Sequence, residues 1–172
     1  QVRDILVKAQ VQSTVTARVQ AISVGAIKNA QGDAASFSAG GVESTNHIAT
    51  DVKAHIGPSA AITATRSINL QANDHSTISS DAGTALVSAS FADDLSGTLT
   101  IGATKARNEI DNRVAASLES VTTLAAPIQL NLSAAETATI TSTSVATSVS
   151  GSIGDSGLSL SGAGADSINV IN

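Results

Sequence analysis

The stretch Ala106-Arg107-Asn108-Glu109-Ile110-Asp111-Asn112-Arg113-Val114-Ala115-Ala116-Ser117-Leu118 decides the fold, because the chain carries its pattern more than once. Upstream, the residues from Ser44 to Ile56 keep the same alternation of Asn, Ile, Val and Ala with other side chains. A third copy begins at Ser167 and stops at Asn172. A pattern that returns at a fixed spacing is the signature of a repeat protein.

Four further sets of residues recur at nearly the same spacing, and they indicate three units of about 62 residues. We place the units at roughly 5–67, 68–127 and 128–172, the last one truncated, in a single repeat-built domain that covers 1–172. Because the sequence opens on Gln1 and stops inside a repeat, we expect a piece of a longer chain. The sets are Thr14, Thr77 and Thr139; Asp33, Asp94 and Asp155; Gly40, Gly102 and Gly164; and Ile5, Ile68 and Ile128.

The composition points to a thin core built from small side chains. Hydrophobic residues make up 42% of the chain, but aromatic residues make up only 1%, and Cys, Met, Trp and Tyr are absent. Val, Ile and Thr favour extended chain. The absence of cysteine excludes disulfides and thiolate metal sites. The net charge of −5 argues against a nucleic-acid partner, and no apolar run approaches the ~20 residues of a membrane span.

Within the second unit, two alternating runs flank a polar break. Residues 85–91 and 99–103 alternate with a period of two, and Asp93-Asp94-Leu95-Ser96-Gly97 separates them. Two such runs joined by a short Asp/Ser/Gly loop predict a β-hairpin. We therefore expect an all-β fold, a β-solenoid of about 62-residue coils in which each coil contains an antiparallel hairpin. The sequence leaves open whether neighbouring coils pair in parallel or through nested hairpins.

The quoted stretch also has a helical interpretation. Ile110, Val114, Leu118 and Val121 recur at the spacing of an amphipathic helix. The alternative, a strand, places the even-numbered residues 108–118 on one face, as it does for residues 46–56 of the first unit. The surrounding β pattern favours the strand.

The repeated asparagines predict a ladder. Stacked coils bring equivalent residues to ~4.8 Å from one another, the spacing of strands in a sheet. A lone buried asparagine costs about 1–3 kcal/mol, whereas stacked amides satisfy one another. We therefore predict a structural ladder of Asn46, Asn108 and Asn169. The alternative is an asparagine that occupies a loop in each unit.

Stacking also places hydroxyl side chains in two outward ranks. The first rank is Thr14, Thr77 and Thr139, and the second is Thr16, Ser79 and Thr141. A flat array of hydroxyl and methyl groups resembles, in miniature, the surface of β-solenoid ice-binding proteins. The alternative is that threonine is simply a good surface residue for a strand.

Several constellations of reactive residue types do not form plausible catalytic or metal sites. The segment Gly154-Asp155-Ser156-Gly157 matches a protease nucleophile loop, but its equivalents in the other units are plain turns. Asp74, His75 and Ser76 are neighbours on a strand, so they point to opposite faces and are expected on the solvated surface. His47 and His55 share an outer face but lie ~26 Å apart, too far for one metal ion. We expect no cofactor. A Ca²⁺ ion bound by Asp93 and Asp94 is a weaker alternative, because the preference of type I turns for aspartate explains both residues without a metal ion.

Two segments resemble a known class of repeat regions. They are Arg107–Ala116 and the run from Ile128 to Ile140, and both are similar to the long Ala/Ser/Thr/Val-rich repeats of very large secreted or surface-attached bacterial proteins of the adhesin or haemolysin-like type. The resemblance covers most of the chain and implies a β-solenoid-like rod outside the cell or at its surface.

We therefore expect a non-catalytic structural rod or stalk segment. Its partners would be neighbouring repeats of the same or identical chains, with self-association into filaments as an extension, because strand edges at the two ends invite pairing. The alternative is a binding module for ice or a polysaccharide that uses the outward Thr and Ser ranks.

Overall fold

The computed structural model describes residues 2–58, 62–120, 124–125 and 129–172, and its regular structure is β-strand throughout these residues. Most of the strands are far longer than the 3–10 residues that are usual in globular proteins. The prediction of an all-β chain is confirmed. The helical interpretation of residues 106–118 is wrong, because they lie inside the strand Leu95–Leu118; Val121, which that interpretation included, lies outside the described residues. The strands are β1 (Val2–Asn29), β2 (Ala34–Ile56), β3 (Ile62–Ala92), β4 (Leu95–Leu118), β5 (Leu124–Ala125), β6 (Gln129–Ile153) and β7 (Ser156–Ile171).

The strands form two sheets that face each other. Sheet A has the order β1-β3-β6, with the short β5 also paired to β3, and sheet B has the order β2-β4-β7. Every pairing between the described strands is parallel. The chain alternates between the sheets, so each unit contributes one long strand to each of them. This arrangement is consistent with a β-solenoid.

The predicted antiparallel hairpin is wrong. The strands that flank the break at Asp93 and Asp94 do not pair with each other, because β3 pairs with β1 and β6 while β4 pairs with β2 and β7. The break is an arch that carries the chain from one sheet to the other. The local pattern of a hairpin and of an arch is the same; what differs is whether the backbone groups find partners in the same unit or in the next one.

The parallel register reproduces most of the spacing seen in the sequence. Thr77 pairs with Thr14 and with Thr139, and Gly40 pairs with Gly102. The third predicted glycine is displaced by one position, because Gly164 pairs with Ala103. Ile68 pairs with Ile5 and with Leu130. The predicted partner Ile128 lies outside the described residues.

An ion pair marks the one irregularity in the pairing of β1 with β3. The register shifts between Val2 and Asp4, so that β3 has an additional residue there. The Asp4 carboxylate accepts hydrogen bonds from the guanidinium of Arg66, at 2.9 and 2.5 Å, and from Ser67 Oγ at 2.6 Å. The bond from Arg66, followed by that from Ser67, lowers the pKa of Asp4 from 3.8 to about 2. The Asp4 carboxylate thus links the first unit to the second at the register shift.

The interior between the sheets changes character along the strands. At the end of the strands where β2 leads into β3, next to residue 57, the interior is aliphatic. Ile68, Leu70 and Val52 form one cluster there, and Ile78, Ile48 and Ile110 form the next. We call this part, with its outer surface, the turn half.

The other part, which we call the arch half, comprises residues 19–42, 82–104 and 144–165. Hydroxyl groups fill much of its interior and bridge the two sheets in pairs. The largest fully buried side chain of this region, Leu86, lies against Gly40 and Gly102, where no Cβ occupies the space. The hydroxyl pairs are Ser23 with Ser38 at 3.0 Å, Ser36 with Ser88 at 2.9 Å, Thr84 with Thr104 at 3.0 Å and Ser90 with Ser96 at 2.5 Å.

Candidate functional site: the ladders and the outer face of sheet A

The structure places the three asparagines directly above one another in sheet B. Asn46 Nδ2 donates to Asn108 Oδ1 at 2.8 Å, and Asn108 Nδ2 donates to Asn169 Oδ1, also at 2.8 Å. Asn108 is fully buried, because it has a unit on each side. These amides face the interior and hold consecutive units in register, which is a structural role.

A second polar group lies inside the turn half and was expected on the surface. Asp74 and Ser76 are buried, and only His75 between them faces solvent, so the expectation of a solvated trio is wrong. Asp74 accepts hydrogen bonds from Thr50 Oγ1 and from Ser76 Oγ, the latter at 2.7 Å. Asn112 Nδ2 donates to Ser76 Oγ at 3.0 Å. The inward position of these residues follows from the parity of β3, in which Ile78 also points inward.

The two predicted hydroxyl ranks lie side by side on the outer face of sheet A. The first rank aligns Thr14, Thr77 and Thr139, and the second aligns Thr16, Ser79 and Thr141. Their side chains alternate with interior residues such as Ile78, so they face away from sheet B. Neighbouring members are ~4.8 Å apart across the strands and ~6.6 Å apart along a strand. The result is a small lattice of hydroxyl and methyl groups.

The ranks on either side of this lattice are mixed. On one side, Arg18 Nε lies 3.4 Å from Asp81 Oδ2, and Thr143 continues that rank in the third unit. On the other side, His75 pairs with Gln12 and with Thr137. In β6 the outward residues from 137 to 143 are therefore all threonines, whereas the two earlier units interrupt the pattern with charge.

An apolar surface covers the outer face of sheet A in the arch half. Val24, Val87 and Val149 align as one rank, and all three are exposed, by 71%, 42% and 54%. We call this surface the valine face. No charged residue occurs in the strand segments that form it up to residue 27 of β1, 92 of β3 and 153 of β6. Its four ranks are Ile22, Ala85 and Thr147; Val24, Val87 and Val149; Ala26, Ala89 and Gly151; and Lys28, Phe91 and Ile153.

The outer face of sheet B carries a comparable apolar surface in the arch half. Phe37, Leu99 and Leu160 align as one rank. Leu158 and Ile101 flank it and are 71% and 50% exposed. The arch half is therefore inverted relative to an ordinary β-sandwich, since hydroxyls fill its interior and aliphatic side chains cover both outer faces.

Sequence reasoning missed these apolar surfaces for a physical reason. The alternation of apolar and polar residues predicts a strand but does not say which face is inward when small hydroxyl residues can fill the interior in hydrogen-bonded pairs. One available signal was the complete absence of charge from residues 82–92 and 95–104.

The other candidate residues occupy separate places. Asp93 and Asp94 lie in the second arch, and in the described part of the chain no group of three or more His, Cys, Asp or Glu residues is arranged to hold a metal ion. Residues 154–157 belong to the third arch and the start of β7, where Asp155 N donates to Asp93 O at 3.4 Å. His47 and His55 are both exposed on the outer face of sheet B.

Comparison with known proteins adds no family to this description. Across the described ranges, no helix is long and apolar enough to cross a membrane. No protein-family model, no curated protein and no solved structure matches the chain.

Proposed function

We propose that this chain is a non-catalytic structural segment of a large extracellular or cell-surface repeat protein, with its units stacked as a β-solenoid. The parallel register across three units is the observation that carries the proposal. Each long strand obtains its hydrogen-bond partners from neighbouring units, so the stability of such a stack is roughly the sum of its unit-to-unit interfaces. The resemblance of Arg107–Ala116 to adhesin-like repeats supports the location.

The dimensions favour a flat ribbon over a slender stalk. Strand β6 has 25 residues, and at ~3.3 Å per residue it is about 80 Å long. Each added unit lengthens the stack by only ~4.8 Å. The segment is therefore much wider along its strands than it is long along the stack. A stalk would have to be long in the stacking direction. Within the described residues β1 and β2 have one free edge each on one side of the stack, and β6 and β7 have one each on the other, where units of the same or identical chains would add.

Single-molecule force spectroscopy tests this structural role. A chain pulled from its two ends is expected to peel one unit at a time, because the strands of a unit share their partners in the next unit. The release of a complete unit of about 62 residues corresponds to an extension step of about 200 Å. Smooth extension at low force, without discrete steps, would contradict a load-bearing role.

A second candidate function is binding through the hydroxyl ranks. The specific observation in its favour is that the rank of Thr14, Thr77 and Thr139 lies beside the rank of Thr16, Ser79 and Thr141 on one outer face. A regular lattice of hydroxyl and methyl groups suits an ordered, repetitive ligand such as ice or a polysaccharide.

Thermal hysteresis and retention on immobilised polysaccharide test the binding function. We expect Thr77→Lys to abolish either signal, since a long charged side chain at the centre of the lattice disrupts its flatness. Asn73→Lys is the matched control, because residue 73 lies on the same strand and the same face but outside the two ranks. Absence of both signals from the unmodified chain would leave the structural role alone.

A further inference from the structure

We propose that the valine face is a dimerisation surface for a second copy of this chain, related by a two-fold axis that runs parallel to the stack of units. The proposal depends only on the outer face of sheet A. It does not depend on the proposed structural role of the chain in a larger repeat protein.

The valine face has the relief of a ridge beside a groove. Val24, Val87 and Val149 form the ridge, and the next rank towards the arch, made of Ala26, Ala89 and Gly151, forms the groove. Beyond the groove, Phe91 and Ile153 form a second ridge. Alternating rows of large and small side chains are what allow two sheet faces to interdigitate as a dry interface.

This relief is self-complementary. A two-fold axis placed between the Val87 rank and the Ala89 rank lays the ridge of each copy into the groove of the other, and it keeps each unit level with its equivalent. Val87 then faces the second copy's Ala89, and Phe91 faces the second copy's Ala85. In the same way Val149 faces Gly151 and Val24 faces Ala26, so large side chains meet small ones in all three units.

The charges support the same arrangement. Because the two copies point their turn halves in opposite directions, Arg18 and Asp81 stay outside the contact. Lys28 lies at the edge of the contact, opposite Ile22, where its aliphatic stem packs while its ammonium group reaches water. Entry of the arch half into a lipid layer is disfavoured, because the arch carries Asp33, Asp93 and Asp155 at its tip.

The outer face of sheet B does not offer the same fit. An axis between the Phe37 rank and the Ile101 rank would bring Leu99 against Ile101 of the second copy. An axis on the other side of the Phe37 rank would bring Leu160 against Leu158 of the second copy. Two large side chains collide in either case. The geometry therefore selects sheet A.

The size of the contact predicts weak dimerisation. Each position on a sheet face covers roughly 32 Å², so twelve positions cover about 380 Å² per copy. Stable complexes bury about 800 Å² per partner. The three units therefore provide about half of a standard interface, and each additional unit adds roughly 130 Å² per copy.

Sedimentation equilibrium over protein concentrations up to about 1 mM tests the proposal. The unmodified chain is expected to show a reversible monomer–dimer equilibrium. Val87→Lys, which places a charge on the ridge, and Ala89→Leu, which fills the groove, are each expected to weaken association about tenfold or more. Asn73→Lys on the same strand and Leu99→Lys on the other sheet are expected to leave it unchanged, and circular dichroism checks that every variant folds.

A cross-link tests the geometry separately. The chain has no cysteine, so the pair Val87→Cys with Ala89→Cys introduces the only thiols. The backbones of two stacked sheets lie ~10 Å apart, which is farther than a disulfide spans. A flexible bismaleimide of about that length should therefore link two copies of this variant into a covalent dimer, whereas the pair Asn73→Cys with His75→Cys, placed on the same face outside the contact, should remain monomeric.

Three results would overturn the proposal. They are a chain that stays monomeric over the whole concentration range, a dimer that survives both Val87→Lys and Ala89→Leu, and a dimer that is lost on Leu99→Lys. Binding to neutral phosphatidylcholine vesicles that is lost in Val87→Lys, in a chain that stays monomeric, would reassign the valine face to a lipid surface.

Discussion

Leu86 occupies a hollow that exists only because residue 102 is a glycine: a Cβ on Gly102 would lie 2.8 Å from Leu86 Cδ1. On the neighbouring strand, a Cβ on Gly40 would lie 3.0 Å from Leu86 Cδ2. One fully buried leucine is thus packed against two paired glycines of the opposite sheet, in an interior where much of the remaining space is filled by hydroxyl groups. The close approach of the two sheets in the arch half depends on this fit.

We therefore expect Gly102→Ala to lower the free energy of unfolding by about 1–3 kcal/mol, because the added methyl group overpacks the interior. Gly162→Ala is the matched control, since a Cβ there meets no atom within 4 Å, and it should stay within about 0.5 kcal/mol of the unmodified chain. Urea unfolding measures both. Equal stabilities for the two variants would show that Leu86 does not depend on the hollow.

The asparagine ladder predicts that position in the stack decides the cost of a substitution. Asn108→Ala removes the buried central amide and leaves Asn46 without its acceptor in the next unit, so a loss of about 1–3 kcal/mol in unfolding free energy is expected. Asn169→Ala should cost much less, because Asn169 is exposed to water. Denaturant titrations of the two variants, made under the same conditions, provide the comparison. Similar losses for both would contradict a ladder that is stabilised by burial.

The hydroxyl pairs across the arch half predict strong coupling. Ser88 Oγ donates to Ser36 Oγ, and both residues are buried. Ser88→Ala alone leaves Ser36 unpaired and should cost about 1–3 kcal/mol, whereas the double variant Ser36→Ala/Ser88→Ala should cost far less than the sum of the two single changes. A double-mutant cycle measured by thermal or urea unfolding gives the coupling energy. Additive effects would mean that the hydroxyls are satisfied independently of each other.

Asp4 predicts a pH dependence in the acid range. Its pKa is lowered from 3.8 to about 2, chiefly by the hydrogen bond from Arg66 and then by that from Ser67. A carboxylate whose pKa is lowered by folding stabilises the folded chain above its unfolded pKa, and this contribution disappears as the pH falls through the folded pKa. Stability should therefore decline between about pH 4 and pH 2, and Asp4→Asn should flatten that decline. Measurements of unfolding free energy against pH check this. An equally steep decline in the unmodified chain and in Asp4→Asn would show that Asp4 does not cause the pH dependence.

Much of the fold is readable from the sequence because stacking repeats the same contacts. The spacing of Asn46, Asn108 and Asn169 predicts both the period and the ladder, and the alternation around Ile110 predicts strands. The connection between strands could not be read in the same way. Asp93 and Asp94 suit a hairpin turn and an arch equally, so only the pairing of β3 and β4 with other units distinguishes the two.

The orientation of the faces was harder to predict than the strands. In the turn half, Ile78 and Ile110 point inward as an amphipathic pattern requires. In the arch half, Val87 and Phe91 point outward while Ser88 and Ser90 point inward. Serine pairs can fill an interior only when a partner serine lies opposite on the other sheet, and that information is held by residues far away in the sequence. The valine face therefore emerges only from the three-dimensional arrangement.

The arches also become shorter from one unit to the next. Residues 30–33 connect the last paired position of β1 to the first of β2, whereas residues 93–95 connect the equivalent positions of the second unit. The third unit is again one residue shorter than the second at this place. Residues 92–94 connect the paired positions in the second unit, and residues 154–155 connect the equivalent positions in the third. A one-residue deletion within a strand would turn every following side chain to the opposite face.

The arches thus absorb these differences in length between units without changing the face of any side chain in the strands that follow. Copies of such a gene segment can drift by single codons there while both faces of every strand keep their assignment, and duplicated units remain compatible neighbours long after their lengths have diverged.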